Sequence, residues 1–430
     1  MNRLKSVALA LIALAGLAGC GNKGDMAPPP ASGLAAQPGD GNVVVTWSDD
    51  LSVDYWLFVS TDPRLTTDNF TTLTDIRVIR NVRSPYVLCG YADGRTLYLA
   101  MNGRTGGGPG GPGTPTINTT LRVAGSVWTL GTAPPVTFSA LGYAATTACN
   151  GASLPMGTYV AVGPNAAIAN SPDGLTFTAT FAPPGLETNL NAVVAKVTNP
   201  GVVTIQFVAV GDGGATILSS DGATWTEGAP FDAGAPNLNG VALSTATYVA
   251  VGDGGFAETS TDGVAWTARA TGATEDLHGI GCNGGICVAA GQDGVITRTV
   301  DGGASWEVQQ TSGLPTLRCV AFGNFNNNLG AAVIAINTWV AVGDGGTVVY
   351  STDGGATWTA TTVPGATDFV ALAYLTQFMA LDSAGNSFTS QDGQTWIGPV
   401  PTGLASPGGM VSNGAGFVAV GAGGGTVSSF

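Results

Sequence analysis

Four polar residues at one position of a repeated segment could bind a ligand. Asn191, Asn239, His278 and Arg318 each follow a leucine and precede a small residue. Amide, imidazole and guanidinium groups hold polar or anionic ligands through hydrogen bonds and charge. We therefore take these four residues as a candidate ligand-binding rim. The alternative is a solvated polar ring that binds nothing.

The remaining chemistry-bearing residues do not single out a catalytic site. His278 is the only histidine of the chain, and the sequence identifies no Ser or Cys nucleophile beside it. Two carboxylates suffice for glycoside hydrolysis, but no pair stands out among the acidic residues expected near the rim. Those residues are Glu187, Glu227, Asp232, Glu275, Asp276, Glu307 and Asp368. We expect no catalytic residue, no cofactor and no metal site.

Composition and charge exclude several other classes of protein. The 430-residue chain has a formal net charge of −14, so nucleic acid would be repelled. Hydrophobic residues make up 44% of the chain and 66 residues are glycine, which is typical of a folded protein made of apolar strands and tight turns. An all-β fold is therefore expected.

The N-terminus reads as an export signal. Arg3 and Lys5 precede the apolar run 7–18, which is too short to span a bilayer. The run ends in Leu-Ala-Gly-Cys at Cys20, which resembles the lipobox of bacterial lipoproteins. The resemblance implies a signal peptide over 1–19, acylation of Cys20 and, from the Gly that follows, a location at the outer membrane on its periplasmic or surface face. An ordinary signal peptide is the alternative, and 20–30 reads as a flexible tether.

Five further cysteines follow in a compartment that we expect to be oxidising. Cys282 and Cys287 flank an Asn-Gly-Gly turn between two strand-like runs, so a disulfide could join them across a hairpin. An odd number of cysteines leaves at least one unpaired.

The segment 31–123 predicts a β-sandwich. Val43, Val45 and Trp47 alternate with more polar residues after a turn, and further strand-like runs follow. The segment resembles a fibronectin type III domain, with Trp47 as the core tryptophan of the second strand and Tyr98 as the tyrosine-corner residue. Such domains usually act as spacers.

The segment 124–430 contains one unit seven times. Each unit carries a run similar to Tyr-Val-Ala-Val-Gly, starting at Tyr159, Phe207, Tyr248, Cys287, Trp339, Phe378 and Phe417, with spacings of 48, 41, 39, 52, 39 and 39 residues. Propeller blades of four strands repeat about every 40–45 residues. The sequence therefore predicts a seven-bladed β-propeller.

Six units also contain a Ser/Thr-x-Asp-Gly box followed by an aromatic residue. The aspartates are Asp173, Asp221, Asp262, Asp301, Asp353 and Asp392, and the aromatic residues are Phe177, Trp225, Trp266, Trp306, Trp358 and Trp396. These boxes resemble the Asp-box, or BNR repeat, of sialidases, sortilins and the photosystem II assembly factors. We interpret them as structural, because Asp caps the turn and the aromatic residue packs between blades. Sialidase activity would need three converging arginines, and the basic residues here, Lys196, Arg269, Arg298 and Arg318, occupy unlike points of their repeats.

The seventh unit ends without a fourth strand. Residues 126–131 around Trp128 resemble the strand that follows each box, so we predict that they complete this unit and close the ring. The resulting hypothesis is a non-catalytic, lipid-anchored envelope protein that uses a propeller face to bind another envelope protein. The alternative is a carbohydrate-binding or sialidase-like hydrolytic propeller, for which Phe138, Phe231 and Phe369 are the few rim aromatics.

Overall fold

The computed structural model describes residues 28–38, 42–89, 91, 95–105, 110–121, 125–144, 157–198, 204–228, 235–310, 313–328, 333–414 and 416–429. The chain divides into two compact units, one with Asn42–Leu121 and the segment up to Pro38, the other with Leu154–Phe430 and Arg122–Ala148. The signal segment 1–19, Cys20, Cys149, Phe231 and Asp232 lie outside the described residues. In the described part of the chain, no helix has the length and apolar character needed to cross a membrane.

The first unit consists of two antiparallel sheets. Its strands are β1 (Ala35–Pro38), β2 (Asn42–Thr46), β3 (Asp54–Ser60), β4 (Ile76–Val82), β5 (Tyr86–Cys89), β6 (Thr96–Arg104) and β7 (Ile117–Thr120), with a 3-10 turn at Phe70–Thr72. The strand orders are β1-β2-β5 and β4-β3-β6-β7. Val43 and Val45 of one sheet share a buried core with Leu57 and Leu99 of the other, so the two sheets form a sandwich. Trp47 belongs to this core and meets Tyr55 edge to face, with ring centroids 5.8 Å apart.

Tyr98 does not face this core. Because neighbouring residues of a strand point to opposite faces, Leu97 and Leu99 enter the sandwich core while Tyr98 packs with Phe58 on the other face of the four-stranded sheet. The tyrosine-corner assignment of Tyr98 is therefore wrong. Leu97 lies on the core face instead.

The second unit begins with the two-residue strand β8 (Thr129–Leu130) and continues with 27 further strands. Its first three sheets are β9 (Ala140–Ala144), β10 (Thr158–Gly163), β11 (Ala167–Ser171) and β12 (Thr178–Thr180); β13 (Leu190–Thr198), β14 (Thr204–Gly211), β15 (Thr216–Ser219) and β16 (Thr226–Glu227); and β17 (Leu238–Ser244), β18 (Thr247–Gly252), β19 (Phe256–Ser260) and β20 (Thr267–Ala270). The next two are β21 (Leu277–Asn283), β22 (Ile286–Gly291), β23 (Ile296–Thr299) and β24 (Glu307–Gln310); and β25 (Leu317–Asn328), β26 (Val333–Gly343), β27 (Thr347–Ser351) and β28 (Thr359–Thr362). The last two are β29 (Phe369–Tyr374), β30 (Phe378–Asp382), β31 (Asn386–Ser390) and β32 (Ile397–Pro401); and β33 (Pro407–Ser412), β34 (Phe417–Gly421), β35 (Thr426–Ser429) and β8.

The four-stranded sheets of this unit, seven within the described ranges, form a closed ring. The first strand of each sheet contacts the first strand of the next, and β33 of the last sheet contacts β9 of the first. The second strand of each sheet carries the Val-Ala-Val-Gly run and is buried on both faces, because it is covered by the adjacent sheets. In six sheets a 3-10 turn follows it, at Pro164–Ala166, Asp212–Gly214, Asp253–Gly255, Gln292–Gly294, Asp344–Gly346 and Ala422–Gly424.

Both ends of the second unit meet in the last sheet. Leu130 and Thr129 of β8 pair with Val427 and Ser428 of β35, which is the pairing predicted for residues 126–131. The Gly125 N–H donates to Ser429 Oγ at 2.6 Å, as the box glycine Gly174 donates to Ser171 Oγ at 2.9 Å. A box-like turn is thus assembled from the two ends of the chain segment. Trp128 packs with Met379 and Phe417, between the sixth and seventh sheets.

The Asp-boxes act as turn caps. In the first box Asp173 Oδ1 accepts the N–H groups of Leu175 and Thr176, both at 2.8 Å, and the hydroxyl of Ser171 at 2.8 Å. The same contacts recur at Asp221, Asp262 and Asp392. The Ser305 hydroxyl and N–H lower the pKa of Asp301 to about 2, which shows that these bonds favour the ionised carboxylate.

The box tryptophans pack between neighbouring sheets. Trp225 joins a cluster with Val160 of the preceding sheet and Phe207 of its own, and Trp266 joins one with Val208 and Tyr248. Trp306, Trp358 and Trp396 do the same in the following sheets. Both the aspartate, through its hydrogen bonds in the turn, and the tryptophan, through its packing, thus have structural contacts in these boxes.

Candidate functional site

The first strands of all seven sheets converge on one cavity of about 530 Å³. The second residue of each repeated segment lines it, and these residues are Ser139, Asn191, Asn239, His278, Arg318, Val370 and Gly408. The four residues predicted from the sequence are therefore brought together. Ser139, Val370 and Gly408 were missed because Phe138, Phe369 and Pro407 replace the leucine that marks the segment elsewhere.

The residues that line the cavity lie at a local break in the pairing between the first two strands of a sheet. In six sheets the register between the first two strands shifts across the second residue, for example between Leu277 and Gly279, which leaves His278 out of the ladder. A bulge of this kind bends the strand and re-aims the side chain of the extra residue. Each of these six sheets thus contributes one residue that is left out of the β-ladder.

Asn191 and Asn239 are held in place by their amide groups. Asn191 Nδ2 donates to Asp212 Oδ1 at 2.8 Å and to the Leu238 carbonyl at 3.0 Å. Asn239 Nδ2 donates to Asp253 Oδ1 at 2.8 Å and to the Leu277 carbonyl at 3.0 Å. Because both N–H groups of each amide are engaged, the side-chain oxygen is what remains for a ligand.

His278 and Arg318 form the basic side of the cavity. Arg318 Nε donates to Asp344 Oδ1 at 2.5 Å, and the arginine side chain is 43% exposed. Burial and the charge of Arg318 lower the pKa of His278, while Asp276, Asp253 and Asp344 act in the opposite direction. The imidazole is therefore neutral at pH 7 and can donate one hydrogen bond and accept another.

A chain of polar contacts fixes the turns around the cavity. Asn237 Oδ1 accepts the Gly213 N–H of the preceding sheet at 2.9 Å, and Asn237 Nδ2 donates to Asp253 of its own sheet at 2.9 Å. Asp276 and Asp368 accept the N–H groups of Gly254 and Gly345, both at 2.8 Å. These carboxylates therefore brace neighbouring sheets, which explains the Asp-Gly-Gly turns without a bound ion.

The other acidic rim candidates do not line the cavity. Glu187, Glu227, Glu275, Asp276, Glu307 and Asp368 are not among the residues that line it. Asp276 nevertheless raises the pKa of His278, and Asp368 raises that of Arg318, so these two carboxylates act on the cavity through their charge.

The basic residues of the second unit do not converge. Lys196 Nζ donates to the carbonyls of Ala246 and Thr261, Arg269 Nε to Thr259 Oγ1, and Arg298 Nε to the Gly354 carbonyl. Of these four cations, Arg318 is the one that lines the cavity. This arrangement differs from the three converging arginines that a sialidase requires.

Two of the three aromatic residues proposed for sugar stacking are buried, and the third, Phe231, lies outside the described residues. Phe138 and Phe369 are 1% and 0% exposed, because each occupies the first position of its segment, where leucine is buried in other sheets. Leu190, Leu238, Leu277 and Leu317 show the same burial. The interpretation of Phe138 and Phe369 as rim platforms is therefore wrong.

The described cysteines of the second unit have structural environments. Cys282 and Cys287 face each other on β21 and β22 and are joined by a disulfide. Cys319 lines the cavity but donates its thiol to the Val370 carbonyl at 3.3 Å, and burial raises the pKa of this thiol to about 12. Within the described ranges, no group of three or more His, Cys, Asp or Glu residues could hold a metal ion.

Comparison with known proteins gives a likeness of fold. No protein-family model matches the chain. No curated protein matches it either. YCF48 bound to a D1 peptide is similar with a TM-score of 0.52 and 18% identity, over 70% of this chain and 94% of that one. YCF48 from Cyanidioschyzon merolae gives 0.51 and 14% over 71% and 98%, and the WD40 propeller domain of Doa1 gives 0.51 and 6% over 70% and 95%. Together with the closed ring of sheets, these similarities identify an all-β chain with a β-propeller fold.

Proposed function

We propose that this chain is a non-catalytic, lipid-anchored envelope protein whose seven-bladed propeller binds another envelope protein. The binding surface is the cavity lined by the second residues of the seven segments. His278, Arg318 and Val370 form the part of that surface that carries charge, a neutral imidazole and an apolar side chain.

The observation that carries this proposal is the contrast between repeated and variable positions. The first residue of the segment is buried in every sheet, and the third is small or Cys319, whereas the second differs in charge and size around the ring. The repeated fold requires similar residue types at the first and third positions of every segment, because these residues pack in the same way in every sheet. A surface that recognises one partner needs unlike groups at fixed positions, and the bulged residues supply them.

The fold comparison supports a protein ligand. YCF48 has a propeller of similar architecture and was solved with a D1 peptide. We extend peptide binding to this chain as a hypothesis, because the cavity has both small and apolar residues in its lining beside His278 and Arg318. The carbohydrate alternative loses two of its three proposed stacking platforms, since Phe138 and Phe369 are buried.

The anchor and the first unit complete the proposal. Acylation of Cys20 would hold the chain at the outer membrane, with contributions of about 0.8 kcal/mol per buried CH2. The sandwich has the three-plus-four strand arrangement expected of a fibronectin type III-like spacer, and Trp47 fills its core. The six boxes would be BNR repeats in structural use.

Site-directed photocrosslinking in the native envelope tests the proposal. A photoreactive residue at Ser139, which lines the cavity, should capture one stoichiometric protein, whereas the same residue at the exposed box position Thr224 should not. Binding of the purified partner should weaken about tenfold or more in His278→Ala/Arg318→Ala, because this variant removes two central polar contacts.

Arg269→Ala is the matched control, since it removes the same charge from an outer strand away from the cavity. Unchanged affinity in the double variant, with the fold intact by circular dichroism, would refute the assigned surface. Absence of any crosslinked protein together with a positive glycan array would favour the carbohydrate alternative. Loss of palmitate incorporation in Cys20→Ser would establish the anchor separately.

A further inference from the structure

Two arginines of the first unit contact the same tryptophan. Trp56 lies on β3, Arg80 on β4 and Arg104 on β6. The Arg80 Cζ atom lies 4.5 Å from the Trp56 ring centroid, and the Arg104 Cζ atom lies 3.7 Å from it. Arg80 is exposed and the other two side chains are half-buried, so this cluster lies at the surface of the four-stranded sheet.

These two cations lack a carboxylate partner in the described part of the unit. Arg64 pairs with Asp62, and Arg83 pairs with Asp49 and Asp54. Arg80 and Arg104 form no ion pair with a described acidic residue. Asp54, the cross-strand neighbour of Arg104, pairs with Arg83 instead. Two positive charges therefore meet at one indole with no ion pair to a described carboxylate.

A guanidinium group that stacks on an indole ring is held in an orientation in which it can still bind an oxyanion. The cation–π contact holds the planar group by its face, and its N–H edge stays free for bidentate hydrogen bonds. Asn102, the cross-strand neighbour of Trp56, is 6% exposed, and its Oδ1 has no hydrogen-bond partner among the described residues. Because this atom is an acceptor, it does not contribute to binding an oxyanion.

We propose that Arg80 and Arg104 bind a phosphate monoester. Such a group carries about −1.5 to −2 charges at pH 7 and three acceptor oxygens, which matches two guanidinium groups. A carboxylate would neutralise only one of the two arginines. The ester is either a lipid headgroup or a soluble phosphate compound.

Titration of the full chain with pyrophosphate tests the site. Cys20→Ser serves as the parent protein, so that no acyl chain contributes to any binding. Isothermal calorimetry should detect pyrophosphate binding to this parent, and Arg80→Ala/Arg104→Ala should weaken it about tenfold or more, because two charge-assisted contacts are lost. Arg64→Ala/Arg95→Ala removes the same two charges from the unit elsewhere and should leave the affinity within about twofold.

Binding to lipid vesicles distinguishes a lipid headgroup from a soluble phosphate ester as the ligand. Flotation with phosphatidic acid vesicles, but not with phosphatidylcholine vesicles, would support the site and assign it to a lipid headgroup. Pyrophosphate binding without vesicle binding would support it for a soluble ester. No pyrophosphate binding by the parent, or equal weakening in both double variants with native circular dichroism, would overturn the proposal.

Discussion

Glu258 should make the stability of the propeller fall as the pH rises towards neutrality. The residue lies in β19, two positions before the box Ser260, where three other sheets place Ile217, Val349 and Phe388. Its side chain is 2% exposed, and Oε1 has no hydrogen-bond partner. Burial raises the pKa of Glu258 from 4.5 to about 7.

The sign and size of the effect follow from this pKa. Because the folded state holds the proton more tightly than the unfolded state, stability is greatest below pH 4.5 and declines until about pH 7. Each pKa unit is worth about 1.4 kcal/mol, so the decline reaches about 3 kcal/mol. Glu258→Gln keeps the shape and removes the titration.

Chemical denaturation at a series of pH values measures the effect. The free energy of unfolding of Glu258→Gln, relative to the unsubstituted protein, should rise by about 3 kcal/mol between pH 4.5 and 8. Glu227→Gln, at an exposed glutamate of β16, is the matched control and should show no such rise. A difference that stays constant across this pH range would refute the reasoning that Glu258 is buried as an acid.

Two further perturbations test the ring itself. Deleting residues 125–131 removes β8, the Gly125–Ser429 contact and Trp128, so the melting temperature should fall by several degrees in differential scanning calorimetry. An unchanged melting temperature would show that the two ends do not close the ring. Trp225→Ala should cost about 3–5 kcal/mol in urea unfolding because this side chain is buried between two sheets. Trp225→Phe should cost less, and equal losses in the two variants would argue against packing as the cause.

Much of the fold could be predicted because its motifs recur in register. The Val-Ala-Val-Gly run marks the second strand of a sheet, and the Asp-containing box marks the turn after the third strand. The spacing of these two motifs therefore predicts one sheet per unit. The missing box after Phe417 then points to Trp128 as the residue that fills the same place. Repetition allowed each unit to be interpreted against the others, which a single copy would not permit.

The wrong predictions concern residues whose side-chain orientation was inferred only from the alternation or repetition of the sequence. Tyr98 and Leu97 are both apolar enough for a core, and a shift of one residue along a strand exchanges the two faces. Phe138 and Phe369 looked like rim residues because they stand near variable loops, but they replace buried leucines. Glu258 gave no signal at all, since a single acidic residue in a strand reads as solvent-facing.

The candidate site divides into two halves with different roles. Asn191 and Asn239 are the same residue type at a position that differs in the other five sheets. In each of them the side-chain NH2 group connects the Asp-Gly-Gly turn of its own sheet to the first strand of the next sheet. Their identity is therefore set by the stability of the ring. Arg318 makes its bond to Asp344 within its own sheet, and His278 is a neutral imidazole beside it. Bulging leaves these two residues out of the β-ladder, and among the described residues no hydrogen bond joins either side chain to the next sheet. Their chemistry is therefore compatible with the proposed recognition of a partner.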